Sequence, residues 1–281
     1  MLFRILFALF LMTSVSEAQL LHPPADLYNK MMRGIENVRT ATYVLTLNER
    51  VFDKKIKCEY LVKLQTNPQK IYTYLINPNP GAEALYVDGT NSGKILVNPN
   101  SFPYVTLNLS VNSMLLRKHH QYTMLQLGFQ YLHDMLKQYS IKDSIDFYKS
   151  MSVKEDIVFE KREYHVLEIN NPGFAYINYK VLPGENVTQI ARKVLCNDHM
   201  ILELNREIKD YDDVKAGQII KVPNSFAKRI IFYIDKVNHL PLVQSIYDDQ
   251  GLYTRIYFSS FVLNPLIKDE EFSRSYSKYN F

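Results

Sequence analysis

Apolar and polar positions divide this chain into helical, strand-like and turn-rich stretches. Residues 26–39 repeat at helical spacing: Leu27, Met31, Ile35 and Val38 share one face, and Asp26 stands where a cap is useful. The period then drops to two. Ala41, Tyr43, Leu45 and Leu47 point one way and Thr42, Val44, Thr46 and Asn48 the other, and Cys58, Tyr60, Val62 and Leu64 repeat the alternation. Asn67-Pro68 marks a turn before a third strand at 71–76, and Asn77-Pro78-Asn79-Pro80-Gly81 breaks the chain. Stretches 84–87 and 94–97 flank residues that tolerate positive φ, so they read as a hairpin. Between 113 and 153 the spacing of Leu115, Leu116, His119, Tyr122, Leu125, Phe129, Leu132, Leu136 and Ile145 predicts two or three helices. Strands return at 156–159, 164–169 and 174–178, and again at 229–235, 242–247 and 252–261.

Residues 179–223 form a small closed pattern. A short apolar strand, 179–182, stops at Pro183-Gly184. Asn186 followed by Gln189 is a capping-box signature, and Val187, Ile190, Ala191 and Val194 give the helix that follows an apolar face. Asn197 or Asp198 caps a second short helix with Ile201 and Leu204 inside, and Asn205 closes it. A loop leads through Ala216-Gly217-Gln218 to a last strand, 219–222, stopped by Pro223. The order is βααβ, with two strands free to pair antiparallel.

This stretch closely resembles the LysM domain, a carbohydrate-binding module of cell-wall proteins. The matching residues are Tyr179-Lys180-Val181, Pro183-Gly184-Glu185, Ile190-Ala191, Ile201, Leu204-Asn205, Gly217-Gln218 and Val222-Pro223. The resemblance implies binding of N-acetylglucosamine-containing glycan, peptidoglycan in a bacterium or chitin otherwise, in a shallow groove between two loops. Here those loops supply Pro183, Gly184, Glu185, Asn186 and Val187 on one side and Ile208, Lys209, Asp210 and Tyr211 on the other. Their backbone amides and carbonyls, with an apolar floor, would face the acetamido groups. A spacer or a protein contact on the same fold is the alternative.

Strands lie on both sides of this unit with no Ser/Gly/Pro-rich linker. The expected organisation is therefore insertion: a LysM-like domain at 179–224 interrupts a domain made of 19–178 and 225–281. The host resembles the lipoprotein-carrier half-barrel of the bacterial periplasm, through Asp88-Gly89, Ile234-Asp235, Leu240-Pro241, Asp249-Gln250-Gly251, and Asn264 before Phe272. The fold class expected is α+β, a curved antiparallel half-barrel sheet with helices on its concave side. That resemblance implies an apolar cavity for acyl chains. Tyr43, Leu45, Tyr60 and Val62 either line it or fill a dry core.

Composition adds bounds. A 47% apolar fraction supports a sizeable core, and a formal charge of +4 is too small to argue for a nucleic-acid partner. The first eighteen residues read as a secretory signal, with Arg4, an apolar run at 5–12, and Ser16-Glu17-Ala18 before a cut at Gln19. That run is too short to span a bilayer, and no later stretch is long and apolar enough. An exported, periplasmic or envelope-associated protein is expected. Cys58 and Cys196 could be joined after export, but each sits in a core-like pattern, and two buried free thiols are the favoured reading.

Catalytic chemistry finds no foothold in the sequence. His119-His120, with His133 nearby, lacks zinc-ligand spacing, because adjacent helical residues point about 100° apart. Glu155-Asp156 and Asp248-Asp249 read as solvated strand ends and a turn, and there is neither G-x-S-x-G nor a phosphate loop. Asn108-Leu-Ser and Asn186-Val-Thr fit a glycosylation pattern that is common by chance. The expectation is a binding protein with no catalytic residue, metal or cofactor. It would hold peptidoglycan through one part and a lipid or acylated partner through the other. An envelope scaffold that docks a partner protein is the alternative, and a cell-wall hydrolase stands behind it.

Overall fold

The computed structural model describes residues 23–102, 104–142 and 144–281. The stretch read as a secretory signal lies outside them. In chain order the elements are α1 (Pro23–Glu36), β1 (Thr40–Val51), β2 (Lys54–Gln65), β3 (Lys70–Asn77), β4 (Glu83–Val87), β5 (Ile95–Asn98) and β6 (Leu107–Leu109). Helices α2 (Met114–Arg117), α3 (Gln130–Lys142) and α4 (Ser144–Lys149) follow, then β7 (Met151–Phe159), β8 (Arg162–Asn170) and β9 (Tyr176–Lys180). The chain closes with α5 (Val187–Val194), α6 (Asp198–Leu204), β10 (Ile219–Pro223), β11 (Arg229–Asp235), β12 (Pro241–Asp248) and β13 (Gly251–Leu263).

Eleven strands form one open antiparallel sheet in the order β6-β5-β4-β3-β2-β1-β13-β12-β11-β8-β7. The alternation read along β1 sets its pairing. Ala41, Tyr43, Leu45 and Leu47 are all buried on the helix-covered face, and β1 lies between β2 and β13. Helices α1 and α3 cover that face: Tyr28, Met31 and Ile35 of α1 and Leu132, Met135 and Leu136 of α3 join one core with Tyr43, Leu45, Val62, Leu167, Phe232 and Phe258. The opposite face of β2–β5 is covered by the aromatic tail, where Tyr279 stacks on Tyr72 at 3.8 Å and Phe272 packs beside Leu85 and Leu96. Asn264 ties the end of β13 to the start of the sheet. Its Oδ1 accepts from the Arg39 and Thr40 N–H groups, and its Nδ2 donates to the Asn37 carbonyl.

Some boundaries move. Helix α1 ends at Glu36 rather than 39, and Asp26 sits inside its first turn, paired with Lys30 at 2.8 Å. Val38 remains buried although it lies past the helix. The predicted helical stretch to 153 stops at Lys149, because Met151 to Lys154 pair with Val166 to Ile169 of β8 as strand.

The chain leaves the sheet after β8 and returns in β11, its immediate neighbour. Asn170 faces Arg229 and Tyr164 faces Asp235, and the Asn171 N–H donates to the Lys228 carbonyl at 2.8 Å. Everything from 172 to 227 thus fills the loop of one hairpin. Within it β9 and β10 pair antiparallel, and α5 and α6 pack on them around Val181, Val187, Ile190, Ile201, Leu202, Ile220 and Val222. The first strand lies three residues earlier than expected. The capping box is present: Asn186 Oδ1 accepts from the Gln189 N–H, and Gln189 Oε1 accepts from the Asn186 N–H, both at 2.9 Å. Asn197, rather than Asp198, caps α6, its Oδ1 accepting from the His199 N–H at 2.8 Å.

Candidate functional site

The two loops expected to bound a glycan groove lie side by side, joined by hydrogen bonds. Gly184 takes φ +80° at the tip of the first, a conformation open to glycine, and Pro183 and Gly184 are exposed. Glu185 holds this loop from within. Its carboxylate accepts from the Tyr179 hydroxyl at 2.9 Å and from the Leu182 N–H at 2.9 Å, and it pairs with Lys193. Burial pushes Glu185 up, but Lys193, the Leu182 amide and the Tyr179 hydroxyl outweigh it and hold the carboxyl below its ordinary value. The Val187 N–H donates to the Tyr211 carbonyl at 2.8 Å and Asn186 Nδ2 to Asp212 at 2.9 Å, stitching the loops together. Lys209 and Asp210 are exposed on the second loop.

The apolar floor expected from Val187, Ile208 and Tyr211 needs correcting. These residues are 0%, 5% and 1% exposed and pack in the module's own core, so they offer no apolar floor at the surface.

Tyr211 is covered from outside the module as well. Arg117, from α2 of the sheet domain, lays its guanidinium 4.2 Å from the Tyr211 ring centre. The same guanidinium grips Asp198 of α6 with two contacts, 2.8 and 3.0 Å, and donates to the Gln121 carbonyl at 2.6 Å. Thr188 of α5 donates to Asp198 at 3.0 Å. A second contact comes from the tight turn between β1 and β2. There the Phe52 N–H donates to Glu203 at 2.7 Å, the Phe52 ring meets His199 edge-on, and Arg206 pairs with Asp53 at 2.8 Å. Burial lowers His199 to about 3, with Arg117 adding to the effect, so its ring stays neutral while Nδ1 shares a hydrogen bond with the Tyr211 hydroxyl. Burial raises Glu203 to about 7. A third contact is Tyr139 of α3, which donates to the Leu195 carbonyl at 2.8 Å and accepts from the Phe226 N–H at 2.6 Å. These contacts, with the Tyr176 hydroxyl of β9 donating to Asp249 beyond β12, clamp the module to its host, and its loop tips at 183–184 and 209–210 stay exposed.

Beside the third clamp lies a cavity of about 800 Å³. Its apolar walls are Met135, Leu136 and Phe147 from the helices, Met151, Ile169 and Ile230 from the sheet, and Phe226 from the returning connection. Exposed lining residues mark its mouth: Lys142, Asp146 and Lys149 on one lip, Asn170, Pro172 and Gly173 on the other. Tyr43, Leu45, Tyr60 and Val62 are not among its walls. Tyr43, Leu45 and Val62 are at most 2% exposed in the packed core, and Tyr43 donates to the Leu127 carbonyl at 2.8 Å. Tyr60 is half-buried with its hydroxyl 2.9 Å from His120 Nε2. Tyr43, Leu45 and Val62 instead pack in the core under α1 and α3, with Tyr60 partly buried against it.

His120, His133, Asp156 and Asp248 have structural partners. His120 bridges Tyr60 and Glu49, and His133 sits between Glu36 and Asp134. Asp156 pairs with His165 and Lys236, and Asp248 with Arg50. Cys58 and Cys196 are free and buried, and burial raises both thiols. Among the described residues no three His, Cys, Asp or Glu side chains gather as a metal site, and no helix is long and apolar enough to cross a membrane.

Comparison with known proteins gives two family matches. Residues 179–223 match the LysM domain, and residues 38–177 match a family described as protein of unknown function (DUF1571). No curated protein matches the sequence. Among solved structures, an uncharacterized conserved protein from Thermus thermophilus is 6% identical, over 92% of this chain and 98% of that one, with a TM-score of 0.42. The lipoprotein LppX of Mycobacterium tuberculosis is 9% identical over 87% and 97%, with a TM-score of 0.42. A LolA superfamily protein from Nitrosomonas europaea is 10% identical over 89% and 97%, with a TM-score of 0.35. The chain therefore carries a LysM domain, set in the hairpin loop between β8 and β11 of a large open antiparallel sheet.

Proposed function

We propose that this is an exported cell-envelope binding protein. Its LysM domain holds peptidoglycan through N-acetylglucosamine-containing glycan, and its sheet domain takes up a lipid, or the acyl chain of an acylated partner, in the cavity beside the module. One observation carries the reading: the module is clamped through α6 and the back of Tyr211, while the loop tips at 183–184 and 209–210 remain open to solvent. A cavity of about 800 Å³ with apolar walls and a polar mouth supports the second half, since sites for small amphiphiles have this size and lining. Affinity of a single module for glycan should be about 4–8 kcal/mol, enough for retention on a polymer.

Sedimentation of the full chain with purified peptidoglycan tests the first half. Lys209→Trp alters an exposed lip without touching the core and should reduce pelleting at least fivefold; a wild-type protein that stays in the supernatant refutes glycan binding. Solvent extraction with mass spectrometry, and uptake of a fluorescent fatty acid from solution, test the second half. Ser152→Trp, which narrows the cavity, should abolish uptake. No bound lipid and no uptake by the wild type would leave the sheet domain as a scaffold that docks a partner protein.

A further inference from the structure

The mouth of the cavity has an unusual border. Ile141 and Ile145 stand on either side of the join between α3 and α4, each next in sequence to a lip residue, Lys142 or Asp146. They are 74% and 67% exposed. Single exposed apolar side chains are ordinary on a soluble protein, but two isoleucines bordering the opening of one apolar cavity are a localised feature. Around them residues 137–149 carry three lysines, Lys137, Lys142 and Lys149, against two aspartates. The Lys149 ammonium sits 3.8 Å from Asp146 at the same lip. The net charge there is small, so the isoleucines rather than the lysines define the surface.

Lipid chemistry says what such a border is for. Each methylene drawn from a bilayer into water slows escape by roughly fourfold, so ten of them slow it by about a million-fold. A protein that waits for its ligand to cross water is limited by that step. A mouth pressed against the bilayer avoids it, because the chain passes from one apolar medium to another. Such a border should carry exposed apolar side chains beside cationic ones, and Ile141 and Ile145 stand exposed next in sequence to the lip, which carries Lys142 and Lys149.

We infer that the α3–α4 corner is a bilayer-contacting surface, with Ile141 and Ile145 entering the interfacial region of a membrane so that lipid is exchanged directly through the cavity mouth. This rests on the reading of the cavity as a lipid site, and the test separates the two. Vesicles of phosphatidylethanolamine and phosphatidylglycerol are loaded with a fluorescent fatty acid and mixed with the full chain. The uptake rate should rise in proportion to vesicle concentration. In the double variant Ile141→Asp/Ile145→Asp it should fall at least tenfold, while uptake of the same fatty acid from solution stays within twofold of wild type. A wild-type rate that ignores vesicle concentration, or a double variant as fast as wild type, overturns the inference and leaves the lipid reading standing. Absence of uptake even from solution defeats the lipid reading instead. Flotation with unloaded vesicles then decides the surface alone: wild type that floats and a double variant that does not support it, and wild type that remains at the bottom overturns it.

Discussion

Replacing Arg117 by methionine should unfasten the module from its host at the point where the two share a buried charge. The side chains of Arg117 and Asp198 are 1% and 6% exposed, so neither can turn to water. Methionine keeps much of the stem volume but removes both contacts to Asp198, the 2.6 Å bond to the Gln121 carbonyl and the stack on Tyr211. Asp198 would keep its charge with Thr188 as its remaining side-chain donor. Stripping one partner from a buried pair costs about 3–5 kcal/mol, mostly because the survivor is left uncompensated. At about 2–4 °C per kcal/mol for a chain of this size, the melting temperature should fall by roughly 6–20 °C. Urea unfolding followed by circular dichroism, repeated with Asp198→Asn and with both substitutions together, gives the coupling. The double variant should lose less than the two singles combined by about 0.5–3 kcal/mol, since two neutral groups no longer penalise each other. A loss below about 1 kcal/mol for Arg117→Met, or strict additivity, would show that the pair is not what seats the module.

Other outcomes follow from the same interface. Glu203 titrates near 7 because it is buried, against about 4.5 when unfolded, so the unfolded chain holds fewer protons between those values. Its contribution is full below about pH 4.5 and is lost as pH rises through 7, about 3 kcal/mol in all at about 1.4 kcal/mol per pH unit. Glu203→Gln should flatten the melting-temperature profile between about pH 5 and 8, and parallel profiles would defeat the assignment. Tyr139→Phe leaves the Leu195 carbonyl and the Phe226 N–H without their partner, at about 1–3 kcal/mol, and the Phe226 amide should exchange faster with deuterium. Cys58 and Cys196, buried with raised thiols, should resist alkylation at about pH 7 until denaturant is added; labelling of either within minutes in the native protein would contradict their placement.

Alternation and capping make much of this architecture legible. The period-two runs at Ala41 to Leu47 and Cys58 to Leu64 specify two strands that the structure pairs, with Leu47 opposite Cys58 and Tyr43 opposite Val62. Asn186 and Gln189 announce the first helix of the module because a capping box is a local device, complete within four residues. Depth is another matter. Alternation tells which face of β1 is apolar, yet not whether a helix lies flat on it, and so Tyr43 and Leu45 read equally as cavity wall or packed core. The cavity opens instead where α4 and the connections to the module meet, a junction of segments distant in sequence. Arg117 carries no sign of its role: a single arginine after two leucines looks like a surface residue until Asp198 and Tyr211, more than eighty positions on, are brought to it. The start of β7 is hidden for a similar reason, since the strand pairing of Met151 to Lys154 depends on β8 and not on their own spacing.

The pairing of β1 with β13 also bears on how the molecule comes into being. Glu49 meets Thr254 and Ala41 meets Leu263, so the first strand of the sheet waits for one of its two neighbours through some two hundred further residues. At about 5–20 residues per second that is a delay of roughly 10–40 seconds, during which an apolar strand edge is available to any passing chain. The LysM domain needs no such patience, for its strands and helices close within residues 176–223. It can set early and be captured by Arg117 and Phe52, both synthesised before it, holding β8 near the place where β11 must dock.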